Sequence, residues 1–326
     1  MSAQDLHLDP AIVTWAMRTA ELSRSLPGLT SADFPTRRAA ELILSDTLAQ
    51  EFAQETDPSV TIEEGAILTS AGGMRMRRYV PESVSAPAPT QVFLHGGGFV
   101  SGSVDEVIND RLLTHRAHLA GIQIISIDYR LAPEHPYPDP VDDAIAAVDA
   151  LRHEPERYGV DVSKIGIGGA SAGAGIAASA VLHLRDRGDH ALVHQALEVP
   201  ALALAPYGAS AVQYAHGYGL DGFESLGDLV LVGEHRTEVN AQPLLTPDLS
   251  GLPPTFIQVA EHDPLRDGGI AYGDRLRDAG VVCEVNVGRG HVHGSPGLTA
   301  TFALARSWQQ RAVDALRAAY HVSNDV

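Results

Sequence analysis

The chain has 326 residues, with 44% hydrophobic and 20% charged residues and Gly and Pro spread along its length, which excludes disordered and collagen-like classes. Twenty-three basic against forty-one acidic residues give a net charge of −18, with Lys164 as the only lysine, so a nucleic-acid or anionic-membrane partner is not expected. The single cysteine, Cys283, forms no intrachain disulfide and demands no oxidising compartment; with no basic, then apolar, leader in residues 1–10, a cytoplasmic enzyme is the expectation.

Residues 1–55 carry helical spacing in Ile12, Trp15, Ala16, Thr19 and Leu22, and again in Ala40, Ile43, Leu44, Thr47 and Leu48, with Pro27 and Pro35 between two helices. From Val60 the period shortens to two. Thr61–Leu68 and Met74–Val80 flank Gly72-Gly73 and read as a hairpin turning there. After the Pro-rich stretch 81–89, short apolar runs at Gln91–His95, Ile122–Asp128, Lys164–Gly168, Leu197–Leu202, Thr255–Ala260 and Val281–Val287 alternate with helical patterns. That alternation implies parallel βαβ crossovers and a sheet covered on both faces. About fifty residues, 203–254, separate two strands, too many for a bare loop; helices are expected there, packing with the first 55 residues as a cap on a catalytic domain of residues 56–326.

The uncharged run Ile165–Leu184 has nearly the length of a membrane span, but five glycines in its first eleven residues suit a turn between short elements. That turn is Gly169-Ala170-Ser171-Ala172-Gly173, a G-x-S-x-G motif at the end of an expected strand and the start of an expected helix. Glycine two residues before and after the serine avoids collision, while the free N–H of Ala172 and the positive helix end lie beside the hydroxyl. His95-Gly96-Gly97-Gly98-Phe99 closes another strand. Three consecutive glycines let backbone donors approach a developing oxyanion, and Gly97 and Gly98 are assigned that role beside Ala172. A phosphate-cradling reading lacks its Lys and Ser/Thr, and the Gly173-x-Gly175-x-x-Ala178 dinucleotide pattern begins inside the helix.

Four segments taken together, His95–Phe99, Asp128-Tyr-Arg-Leu-Ala-Pro-Glu134 with Tyr137-Pro138, Gly169–Gly173 and Asp263-Pro-Leu-Arg-Asp267, resemble the hormone-sensitive-lipase-like α/β-hydrolases, and especially the bacterial acetyl esterase and heroin-esterase types. The resemblance covers residue 60 to the C-terminus. It implies an α/β-hydrolase fold, a mostly parallel sheet of about eight strands flanked by helices under a helical cap. Departures are Ala170, where the family often has an acid, and His293-Gly294-Ser295, where it often has His-Gly-Phe.

The family's chain order of nucleophile, acid and histidine points to Ser171, Asp263 and His293. Asp263 and His293 each follow an expected strand, at the same sheet end as Ser171. Asp267 stays a rival for the acid and His291 for the base. The other histidines form no complete metal pattern, Cys283 reads as a core residue, and Asp128, Arg130 and Glu134 as loop ties. The expected activity is hydrolysis of short-chain esters through an acyl-enzyme, with no cofactor and no metal. Because the imidazole base has to be neutral, efficiency should fall below roughly pH 6–6.5. Acyl transfer to another alcohol, or ligand binding without catalysis on the same scaffold, are the alternatives. Trp15, Phe34, Tyr207, Tyr214, Tyr218 and Phe223 are candidate substrate contacts by position, and a homodimer is expected if the strand at 281–287 lies at a sheet edge.

Overall fold

Asp9 and Asp33 start the first two helices: their carboxylates accept from the backbone N–H of Ala11 at 2.8 Å and of Thr36 at 3.0 Å, and a proline stands in each first turn. The computed structural model describes residues 8–69, 72–216, 220 and 226–320. Helices α1 (Pro10–Ser25) and α2 (Phe34–Phe52) lead into strands β1 (Val60–Thr69) and β2 (Gly72–Pro81). Gly72 and Gly73 are not the turn expected there: they pair with Thr69 and Leu68 as part of β2, and positions 70–71 between the strands lie outside the described residues.

The remaining order is β3 (Ala88–Leu94), α3 (Val107–Ala120), β4 (Gln123–Ile127), α4 (Asp139–His153), α5 (Pro155–Tyr158), β5 (Val160–Ala170), α6 (Ala172–Asp186) and β6 (Gln195–Glu198). Then come α7 (Gly208–Gln213), α8 (Gly227–Val230), β7 (Thr255–His262), α9 (Arg266–Asp278), β8 (Cys283–Val292) and α10 (Ala303–Tyr320). The eight strands form one sheet in the order β1-β2-β4-β3-β5-β6-β7-β8, antiparallel through β1, β2 and β4 and parallel from β4 onward. The chain is thus an α/β-hydrolase-type fold with β8 at an edge.

Two apolar layers cover the sheet. Ala144, Val148 and Leu151 of α4, Ile176 and Ala180 of α6, and Tyr272 and Leu276 of α9 pack on one face. Leu113 and Ala117 of α3 and Val313, Leu316 and Tyr320 of α10 pack on the other. The innermost strands are buried on both sides, which is why β4 reads as an unbroken apolar run rather than an alternation.

Three expectations need correction. The apolar run at 197–202 pairs only as far as Glu198, because Val199 turns to a left-handed φ of 40° and Pro200 follows. The last strand starts at Cys283, later than expected, and continues to Val292. Among the described residues of 203–254 the helices are short: α7, α8 and three 3-10 turns at Gly233–Thr237, Val239–Ala241 and Pro243–Leu245. Tyr214, after α7, shares an apolar cluster with Ile12 and Phe52 of the N-terminal helices and with Leu298 and Phe302. Among the described residues no helix is long and apolar enough to cross a membrane.

Two histidines are buried away from charge. His194, before β6, packs edge-on to Tyr320, and burial lowers it to about 4; burial lowers His291 to about 4 as well. Between pH 6.5 and 4 the unfolded chain therefore binds protons that the folded chain refuses. The stability these groups contribute is fully present above about pH 6.5 and is lost as pH falls towards 4, on the order of 3 kcal/mol for each. Denaturant midpoints should fall steadily from pH 7 to pH 4.5, and His194→Phe should make that slope shallower; an unchanged slope would remove His194 from the account.

Candidate active site

Strand β5 ends and helix α6 begins at one residue, Ser171. Its φ of 54° and ψ of −116° lie in a region that costs a non-glycine residue about 1–3 kcal/mol. The surroundings hold it there: Ser171 N–H donates to the Glu198 carbonyl at 2.8 Å, and the Ser171 carbonyl accepts from Gly175 at 3.1 Å and Ala201 at 3.1 Å. A Cβ at Gly173 would stand 2.2 Å from the Leu94 oxygen and 2.3 Å from that of His95, and one at Gly169 would stand 2.6 Å from the Leu94 oxygen. Only glycine lets β3 and the elbow come this close.

The glycine loop after β3 runs alongside. Gly96 lies against Ala170 and Ser171, and Gly97 has a φ of 127°, with Ser101 so near that no side chain fits. Among the described residues, the N–H groups of Gly97, Gly98 and Ala172 donate to no protein group. His95 anchors this loop. Its ring stacks on Tyr129 at 4.3 Å, its Nδ1 meets the Gly96 carbonyl at 2.8 Å, and the Tyr129 hydroxyl donates to the His95 carbonyl at 2.8 Å.

Ser171, Asp263 and His293 meet. His293 Nε2 lies 2.9 Å from Ser171 Oγ, and His293 Nδ1 lies 2.8 Å from Asp263 Oδ2. Asp263 is fully buried, and its other oxygen accepts from Leu265 N–H at 2.8 Å, so the carboxylate cannot rotate away. The three residues follow β5, β7 and β8, whose carboxyl ends lie on one side of the parallel part of the sheet.

The rivals lie elsewhere. Asp267 accepts from Ser210 N–H at 2.8 Å and pairs with Arg266, which holds α7 against α9. His291 Nδ1 lies 2.8 Å from Ser295 Oγ, with the ring 5.0 Å from those of Phe302 and Trp308. Ser295 at the third position of the His-Gly-Ser segment thus serves His291 and the backbone of Val292 instead of lining the site. Glu134 pairs with Arg38 of α2, and Arg130 with Asp143 of α4, as expected of loop ties. Cys283 is half-buried, with its thiol pushed up to about 11 by burial.

A cavity of about 510 Å³ opens over Ser171 and His293. Trp15, Phe34, Tyr207 and Tyr214 do not line it, although Trp15 packs against Gly294 beside the histidine. Tyr218 and Phe223 lie outside the described residues. The cavity's lining instead includes groups that sequence reasoning missed, Arg116, Glu198 and Gln309, together with Glu41 and Leu220. Glu198 left one legible signal, a charge inside an apolar run. Arg116 left none, since an arginine in a helix ordinarily reads as surface.

A family model described as alpha/beta hydrolase fold matches residues 91–296. The esterase LipI of Mycobacterium tuberculosis is 35% identical over 277 residues, covering 82% of this chain and 85% of its own. The structure of the ester-hydrolase EH1AB1 from the metagenome of Lake Arreo, complexed with a bipyridine phosphonate derivative, matches with a TM-score of 0.86 at 32% identity, over 95% of this chain and 98% of that one. A bacterial heroin esterase matches with a TM-score of 0.82 at 30% identity, over 96% and 98%. On its sheet, its motifs and these likenesses, the chain belongs to the hormone-sensitive-lipase-like α/β-hydrolases.

Proposed function

We propose that the protein is a serine carboxylesterase acting on short-chain esters through an acyl-enzyme. The observation that carries this is the continuous hydrogen-bonded line from Ser171 Oγ through His293 to Asp263, at 2.9 Å and 2.8 Å. Its support from relatives is that proteins named esterases and carboxylesterases match most of the chain.

In the first half-reaction, Ser171 Oγ bonds to the ester carbonyl carbon as its proton passes to His293 Nε2. The carbonyl π pair moves onto oxygen, which is met by the N–H groups of Gly97, Gly98 and Ala172 and by the positive end of α6. Asp263 holds the imidazole tautomer and stabilises the imidazolium. When the intermediate collapses, the C–O bond to the alcohol breaks and His293 gives its proton to the departing oxygen. Water then repeats the sequence on the acyl-enzyme, releasing the acid and restoring Ser171. These steps are complete without a metal or cofactor.

Residues 1–55 and 203–254 act as a cap in this reading, supported by Glu41 of α2 and Leu220, which both line the cavity. The short-chain preference rests on the family likeness, which includes proteins named acetyl esterases, and on the short helices of the cap segment. A homodimer rests on β8, an edge strand flanked by the exposed Val282 and carrying the exposed Val287. A cytoplasmic setting fits the lone Cys283.

The direct test is a p-nitrophenyl ester series from acetate to laurate. The wild type should peak at acetate to butyrate, and a maximum at laurate would overturn the short-chain assignment. Ser171→Ala and His293→Ala should each lower kcat by about 10⁴–10⁶-fold. Asp263→Asn, which leaves the ring in the wrong tautomer, should cost about 10⁴-fold with KM little changed. Undiminished turnover by Ser171→Ala would remove the serine mechanism.

A further inference from the structure

A buried ion pair borders the cavity that holds Ser171. Arg116 of α3 and Glu198 at the end of β6 are only 4% and 6% exposed, and the guanidinium grips both carboxylate oxygens, through Nη1 to Oε1 and through Nη2 to Oε2 at 2.8 Å. Trp308 Nε1 donates to Glu198 Oε2 at 2.7 Å. Arg116 Nε donates to Gln309 Oε1 at 2.7 Å, and Gln309 Nε2 donates to the Pro296 carbonyl at 2.8 Å. Of the five guanidinium N–H donors these bonds engage three, leaving one on each terminal nitrogen.

Three observations connect this pair with substrate selection. Arg116, Glu198 and Gln309 line the same cavity as Ser171 and His293. The main-chain carbonyl of Glu198 accepts from Ser171 N–H at 2.8 Å, so the wall and the nucleophile are set at a fixed separation. The third is where the pair sits: Phe93, Ile108 and Leu113 line the same cavity, and a buried ion pair among apolar neighbours is poor evidence of a stabilising role, since apolar residues of like volume often replace such pairs without loss.

We infer that the Arg116–Glu198 pair is a specificity determinant, selecting esters whose chain carries an oxygen function, a hydroxyl, keto or ether oxygen, a few bonds from the reacting carbonyl. A spare Arg116 N–H donates to that oxygen, and Glu198 accepts from it when it is a hydroxyl. An all-carbon chain in the same place covers these donors without pairing them, which penalises it relative to its oxygenated isostere. The inference rests on the esterase reading and refines it.

Isosteric pairs isolate the effect. On the acyl arm, p-nitrophenyl methoxyacetate is compared with p-nitrophenyl butyrate; on the alcohol arm, 2-methoxyethyl acetate is compared with butyl acetate. Each kcat/KM is divided by the rate of hydroxide hydrolysis of the same ester. The wild type should favour the ether by about ten-fold on one arm, which also identifies the arm that meets the pair. In Arg116→Met/Glu198→Leu, with folding checked by thermal unfolding, the ratio should fall to about one as alkyl esters gain. Arg116→Lys keeps the charge but loses the planar fork, and it should lower the ratio in the same direction. No preference on either arm in the wild type overturns the inference whether or not a variant folds, as does a preference that persists in the folded double variant. A wild type that cleaves p-nitrophenyl acetate but shows no such preference leaves the esterase reading standing and this inference refuted; one that cleaves no ester refutes both.

Discussion

The strained backbone at Ser171 is the constraint from which the site follows. A non-glycine residue at a φ of 54° relaxes unless its neighbours prevent it, and here the neighbours are β6, which takes the Ser171 N–H, and β3, whose last carbonyls press against Gly173. The same close approach carries the glycine loop beside the serine and leaves the Ala172 N–H at a helix start with no partner among the described residues. The geometry of the proposed nucleophile and of the proposed oxyanion donors is therefore a product of one packing arrangement.

Much of this arrangement was legible in the sequence because sterics dictated residue type. Gly169 and Gly173 are glycine since nothing larger fits, and a strand-to-helix change of period at that point leaves few readings. Asp263 and His293 were legible as residues following strands, once the resemblance supplied the order in which to look. What sequence reading missed depends on contacts across the fold. The end of β6 comes at Val199 through a backbone turn that an apolar run does not announce. Along the chain, what favours His293 over His291 is the glycine after it, the His-Gly step that the resemblance supplies; in the fold, Ser295, Phe302 and Trp308 gather around His291 and hold it elsewhere.

The same limit explains the cavity wall. Arg116 belongs to a helix 82 positions before Glu198, and Trp308 to one 110 positions after it. No local pattern relates them, and the charge on each alone suggests solvent. Folding brings them together at the cavity that Ser171 also lines, where Glu198 does two things with different atoms: its main chain holds the elbow, and its side chain borders the cavity. The elbow's hydrogen bond uses no side-chain atom of this residue.

Two arginines fasten the N-terminal helices to the body. Arg38 of α2 reaches the carbonyls of Val100 and Ala132 and the carboxylate of Glu134, while Arg111 of α3 takes the carbonyls of Ala49 and Ala53 at the far end of α2. Both ends of this helix are thus pinned by charge-assisted bonds to the shell that surrounds the glycine loop. Swinging α2 aside would break them together, so α2 stands as a fixed jamb beside the cavity that its Glu41 lines, and traffic of reactants and products does not pass by its displacement.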